Sequence, residues 1–180
     1  MNFQVGAFIL RRPELYDLEQ LYKQKNSPEI AEMLGGFSIG YSIADLKEWL
    51  EYHRQRKDEA LWIIAEFETN RCVGQVGLYK IDHRVRNAEF GIIIGDRTLW
   101  GKGLGHAFTK FALNYGFQEL NLNRIYLTVL ETNMKAIKLY RSFGFREEGR
   151  LRQAQYRRGM YVDVIIMGLL RLEYEAEAHV

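Results

Sequence analysis

The chain has 180 residues, 47% hydrophobic and 27% charged, which predicts one soluble globular domain over residues 1–180 with length enough to bury a core. A formal net charge of +2 makes no case for nucleic acid or an anionic membrane as partner, and the single cysteine, Cys72, excludes an internal disulfide framework and suits a reducing compartment. No apolar run reaches membrane-spanning length and the first residues lack a signal peptide's charged-then-apolar order, so a cytoplasmic protein is expected.

From the N-terminus, "PELYDLEQLYKQKNS" spaces Leu15, Leu18, Leu21 and Tyr22 as one helical face, with Pro13 suited to a first turn. "SIADLKEWLEYHRQ" repeats the pattern. Ser42 is placed as N-cap, Asp45 follows three residues later, and Ile43, Leu46, Trp49 and Leu50 share a face. Between the two, "EMLGGFSIGYS" reads as a glycine-bearing loop. "LWIIAEF" and "CVGQVGLYKI", separated by the polar "ETNR", read as a β-hairpin, and "AEFGIII" follows as a third strand.

The order then changes. "AEFGIII" leads through "GDRTLW" and three glycines into a helix over about 103–118, with Leu104, Ala107, Phe108, Phe111, Ala112 and Tyr115 as its apolar face. "RIYLTVL" is the next strand and "NMKAIKLYRSF" the next helix, with Gly144 as its C-terminal stop. "REEGRLRQAQY" and "MYVDVIIMGLL" close the chain as a hairpin around "RRG". The sum is an α/β chain of the α+β kind: a mixed, mostly antiparallel twisted sheet with helices on both faces.

"RTLWGKGLGHAF" carries the chemistry. Gly101, Gly103 and Gly105 open an amphipathic helix, and alternating glycines let consecutive N–H groups converge on an anion at the helix's positive end. A triphosphate loop requires Ser or Thr after its lysine, whereas Gly103 follows Lys102. A dinucleotide turn follows its strand at once and places a glycine where this chain has His106. Coenzyme A needs only backbone donors and a helix dipole for its pyrophosphate, and its amide-bearing arm can pair with an open strand edge such as "FGIII".

With "AEFGIII", "WGKGLGHAF", "NLNRIYLTVLETNMKAIKLYRSFGFREEGRLR" and "YVDVIIMGLL" in this order, the chain resembles the GCN5-related N-acetyltransferase (GNAT) superfamily. Within it, the likeness is to the ribosomal-protein alanine and spermidine acetyltransferase branch. The resemblance spans nearly the whole chain and is strongest from Ala88 to Gly168. It implies a splay between the strand ending near Ile94 and "RIYLTVL", with acetyl-CoA wedged into it and no metal. Main-chain groups of Ile92, Ile93 and Ile94 would hold the pantetheine. Trp100 (where the family usually has Gln or Arg), Gly101, Lys102, Gly103, Leu104, Gly105 and His106 would grip the pyrophosphate. Asn133 and Ala136 would touch the cofactor from the next helix.

The resemblance also gives Tyr140 the role of general acid, which suits a phenol placed to protonate a departing thiolate; without the motif it would read as a packed aromatic. Glu89 matches the general base, and alternation places it with Gly91 and Ile93, opposite Phe90, Ile92 and Ile94. It stands either at the cleft or in a salt bridge at its rim. His53, His83, His106 and His179 show no metal spacing, and Cys72 reads as an inert thiol.

The implied function is acetyl-CoA-dependent N-acetylation of a primary amine by direct attack in a ternary complex. A non-catalytic acyl-CoA-binding or sensing module on the same fold is the alternative. The family's acceptor pocket is shaped by the first two helices, their loop and the last hairpin. This chain offers mainly Glu29 and Glu32 near that loop, and Arg150, Arg152, Arg157 and Arg158 flank the hairpin turn. Polyamine is therefore disfavoured but stays open, beside a protein N-terminus, an amino sugar and an amino acid. An exposed sheet edge near the C-terminus would suit a homodimer.

Overall fold

A computed structural model describes residues 2–34 and 40–177. The described residues form one eight-stranded sheet: β1 (Phe3–Val5), β2 (Phe8–Arg11), β3 (Ala60–Glu66), β4 (Cys72–Asp82), β5 (Asn87–Ile94), β6 (Arg124–Leu130), β7 (Arg146–Arg157) and β8 (Met160–Leu170). Spatial order is β1-β2-β3-β4-β5-β6-β8-β7, and only β5 and β6 run parallel. Among the described residues six α-helices join them: α1 (Leu18–Lys25), α2 (Pro28–Leu34), α3 (Ile43–Gln55), α4 (Leu104–Asn114), α5 (Met134–Arg141) and α6 (Arg171–Glu177). None of the described helices is long and apolar enough to cross a membrane.

Local chemistry sets the element ends. At α3, Asp45 N–H donates to Ser42 Oγ at 3.1 Å and Ser42 N–H donates to Asp45 Oδ2 at 2.7 Å, a reciprocal capping box. At the end of α5, Gly144 sits at φ +87°, and Phe145 N–H and Gly144 N–H donate to the carbonyls of Tyr140 and Arg141. This is the left-handed stop expected of glycine. Arg158 and Gly159, both at positive φ, turn the last hairpin.

Strand alternation divides the core between two faces. Trp62 and Ile64 of β3 join Phe90, Phe108, Ile125, Ile137 and Tyr140 under α4 and α5, while Ile63 and Ala65 pack with Leu18, Leu21, Leu46 and Leu50 of α1 and α3. Helices thus cover both faces, as the sequence predicts. The expected helix over 103–118 is α4 followed by a π-helical turn, Tyr115–Glu119.

Three elements differ from the sequence reading. The N-terminal residues form the β1–β2 hairpin, which pairs with β3 and extends the sheet. The segment read as loop "EMLGGFSIGYS" begins inside α2, because Ser27 Oγ accepts from Ile30 N–H and Pro28 opens a turn that carries Glu32, Met33 and Leu34. Residues 35–39 of that segment lie outside the described residues, as does His179. The chain also continues past the last strand into α6.

Candidate active site

The site forms where the sheet parts. β5 pairs with β6 only from Asn87 to Glu89, while β6 stays bonded to β8 from Arg124 to Leu130. Beyond Glu89, β5 keeps its antiparallel partner β4 up to Ile94 and leaves its other edge open. Gly95 N–H donates to the Val73 carbonyl, so by ladder alternation Ile93 faces β4, whereas Phe90, Ile92 and Ile94 direct their main-chain groups into the gap. This refines the sequence reading: Ile93 contributes a side-chain wall rather than edge polar groups.

A cavity of about 640 Å³ fills the gap, lined by Ile92, Ile93, Ile94, Trp100, Gly101, Gly103, Leu104, Gly105, His106, Asn133, Ala136 and Tyr140. Gly101 and Gly103 lie at φ +77° and +76°, with nothing within 4 Å of where a Cβ would stand. They form an open cradle at the start of α4. Its N-cap, Gly103, supplies no side chain, leaving the first-turn N–H groups free for an anion. Gly105 serves packing as well, since a Cβ there would meet Leu139 at 3.3 Å. Trp100 Nε1–H donates to the Ile94 carbonyl at 2.8 Å, and the His106 ring stacks on Phe143 at 4.4 Å. Lys102 is exposed and does not line the cavity. Asn133 caps α5 by accepting from Ala136 N–H at 3.2 Å.

Tyr140 is buried on the α4/α5 face, edge-on to Phe90 at 6.0 Å and tilted against Phe145 at 5.8 Å. Burial pushes its phenol up to about 12, so it remains a protonated donor through neutral pH. Glu89 lies on the opposite face, 2.7 Å from Lys80 Nζ. Glu89 is thus ion-paired with Lys80 and does not line the cavity that holds Tyr140.

On the Glu89 side a second cavity, about 380 Å³, is lined by Tyr52, His53, Arg56, Glu59, Tyr79, Lys80 and Glu89. The two cavities share Tyr79, Phe90, Gly91 and Thr128. Gly77 and Gly91 are register partners, and the Tyr79 ring lies over both: Cβ atoms there would approach it to 2.8 and 3.2 Å. Burial, then the nearby Glu59 charge, raises the Tyr79 phenol above its ordinary range, so it too stays protonated. Sequence reasoning missed this cavity; the alternation of Gly77 with Tyr79 was its only trace in the chain.

The hairpin arginines are engaged elsewhere. Arg150 pairs with Glu131 and Asp163, Arg157 donates to the carbonyls of Ala31 and Glu32, and Arg158 lies 3.3 Å from the Glu32 carboxylate. Glu29 is held by Arg97 at 2.7 Å. Cys72 is buried, and that burial pushes its thiol up to about 11, which keeps it protonated and unreactive. No cluster of three or more potential metal ligands occurs among the described residues.

A family model described as an acetyltransferase (GNAT) domain matches residues 7–146. The chain belongs to the GNAT acetyltransferase family. A curated relative, the spermidine N(1)-acetyltransferase of Vibrio cholerae serotype O1, is 36% identical over 175 residues, 97% of this chain and 97% of that protein. The spermidine N(1)-acetyltransferase of Escherichia coli K12 is 34% identical over 169 residues, 93% of this chain and 88% of that one. The crystal structure of the Vibrio cholerae spermidine N-acetyltransferase in complex with CoA and spermine superposes with a TM-score of 0.86 at 32% identity, covering 94% of this chain and 99% of that one. This GNAT protein is accordingly an enzyme, an acetyl-CoA-dependent N-acetyltransferase of amines, and the non-catalytic sensor alternative is not favoured. The glycine cradle, the open β5 edge and the uncapped α4 terminus fit acetyl-CoA without a metal.

Proposed function

We propose that this acetyltransferase acetylates a primary amine on a molecule with little further positive charge, by direct attack while acetyl-CoA is bound. The two cavities support this reading, one carrying the donor features and the other lying on the opposite face, with Tyr79, Phe90, Gly91 and Thr128 lining both. Four carboxylates of the second cavity and of the first helices already face a basic group: Glu59 with His53, Glu89 with Lys80, Glu29 with Arg97 and Glu32 with Arg158. Residues 33–44 contain no carboxylate at all. A polycation would have to displace these partners.

In this reading the Phe90 and Ile92 main-chain groups hold the pantetheine arm, and the N–H groups around Gly101, Gly103 and the first turn of α4 hold the pyrophosphate. Asn133, Ala136 and His106 line the donor channel. The amine nitrogen attacks the thioester carbonyl carbon, the C–S bond breaks, and Tyr140 delivers its phenolic proton to the departing sulfur.

A polyamine acceptor is the second reading, favoured by the activity named for the relatives. Release of free thiol from acetyl-CoA with spermidine, glucosamine and an alanine-terminated peptide separates the two. At least a tenfold higher kcat/KM for the peptide or the amino sugar is expected. The reverse order overturns the low-charge reading in favour of a polyamine.

A further inference from the structure

The acceptor cavity holds a histidine–carboxylate pair. His53, in the last turn of α3, and Glu59, just before β3, approach to 2.7 Å between Nδ1 and Oε1. Their side chains are 14% and 5% exposed, so this is an interior pair. The imidazole is clasped by rings: Trp49 at 4.5 Å, Tyr52 at 5.3 Å, and Tyr79 edge-on at 6.2 Å. Tyr79 is itself one of the four residues that line both cavities.

A carboxylate oxygen this close to Nδ1 is an acceptor for an Nδ1–H, and in that tautomer the Nε2 lone pair is the basic end of the ring. A buried carboxylate behind an imidazole fixes its tautomer and stabilises the imidazolium once a proton is taken. Glu89 is instead paired with Lys80 on the neighbouring strand at 2.7 Å. The ionisable groups lining the cavity with His53 are Glu59, Tyr52, Arg56, Tyr79, Lys80 and Glu89; Arg56 pairs with Asp58.

We propose that His53, positioned by Glu59, is the proton acceptor for the incoming ammonium. The inference rests on the direct-attack reading. His53 Nε2 takes one proton from the ammonium, and the freed amine forms the C–N bond as the C–S bond breaks. The second proton lost from nitrogen returns to the Tyr140 phenolate, directly or through water, and replaces the one given to the sulfur. The proton on His53 then passes to solvent, so each turnover releases one proton.

Two measurements test this. In ¹⁵N-histidine spectra of the wild-type enzyme, assigned by difference with His53→Gln, neutral His53 should carry its proton on Nδ1; an Nε2–H tautomer overturns the proposal whether or not the variant folds well. In kcat/KM profiles with spermidine and with an alanine-terminated peptide, the wild type should lose activity tenfold per pH unit below one acidic limb. His53→Gln should lower kcat at pH 7.5 by about 100-fold and abolish the limb, with acetyl-CoA affinity within twofold. Glu59→Gln should move the limb to lower pH, since the imidazolium loses its counter-charge. An acidic limb that survives in His53→Gln and disappears in Glu89→Gln overturns the assignment. Parallel double-reciprocal plots would instead sink the direct-attack reading, a separate outcome.

Discussion

The Trp100 indole N–H donates to the Ile94 carbonyl at 2.8 Å, tying the glycine cradle to the end of the open strand. This bond uses the last edge carbonyl of β5 and fixes the angle at which the cradle meets the gap. Trp100→Phe keeps the ring and removes the donor, leaving a half-buried carbonyl unpaired. A neutral hydrogen bond of this kind contributes about 1 kcal/mol, so acetyl-CoA should bind roughly fivefold more weakly. Calorimetric titration checks this, with kcat expected within twofold of wild type.

Tyr140 makes no side-chain hydrogen bond among the described residues and stands against Phe90 and Phe145. Tyr140→Phe conserves that packing and removes the proton. kcat should fall by about 10²- to 10³-fold, with acetyl-CoA affinity within twofold, as read by steady-state rates and equilibrium binding.

The same phenol makes a stability prediction. Its folded-state value is raised by burial to about 12, above the ordinary 10. The neutral form is therefore favoured by folding. Its contribution is fully present below the unfolded value and is lost as pH rises from there through the folded one. Denaturation midpoints between pH 9 and 12 should fall more steeply for the wild type than for Tyr140→Phe.

On the far face, Arg11 and Asp17 form a bidentate pair at 2.7 and 2.8 Å, with side chains 6% and 1% exposed. Asp17 also accepts from Glu14 N–H, so it links β2 to the start of the first helical segment. Asp17→Ala strands a buried guanidinium and should cost about 3–5 kcal/mol in urea denaturation. It lies away from both cavities, and the fraction that remains folded should bind acetyl-CoA with wild-type affinity.

The parts of this molecule dictated by local chemistry were legible in the chain. The Ser42–Asp45 box, the Gly144 stop and the run from Ala88 through the glycines to Tyr140 depend on near neighbours and fixed spacing, and each appears where the residues place it. The β1–β2 hairpin was not legible, because strands of three and four residues are too short to display alternation. α2 was not legible because its seven residues, opening at Pro28, span barely two turns and display no helical period. The second cavity depends on register: Gly77 meets Gly91 across two strands, and His53 meets Glu59 around the end of α3. No spacing rule in a single chain announces either meeting. The pairing of Glu89 with Lys80 was likewise invisible until β4 and β5 were aligned.

The central claim is that the acetyl group passes directly from acetyl-CoA to an amine within one complex. Initial rates measured while acetyl-CoA and the best amine of the panel are both varied test it most directly. Intersecting double-reciprocal lines, with no acetylated protein detected by mass spectrometry after incubation with acetyl-CoA alone, are the predicted result. Parallel lines together with an enzyme 42 Da heavier, roughly the mass of one acetyl replacing hydrogen on a covalent nucleophile, would contradict it.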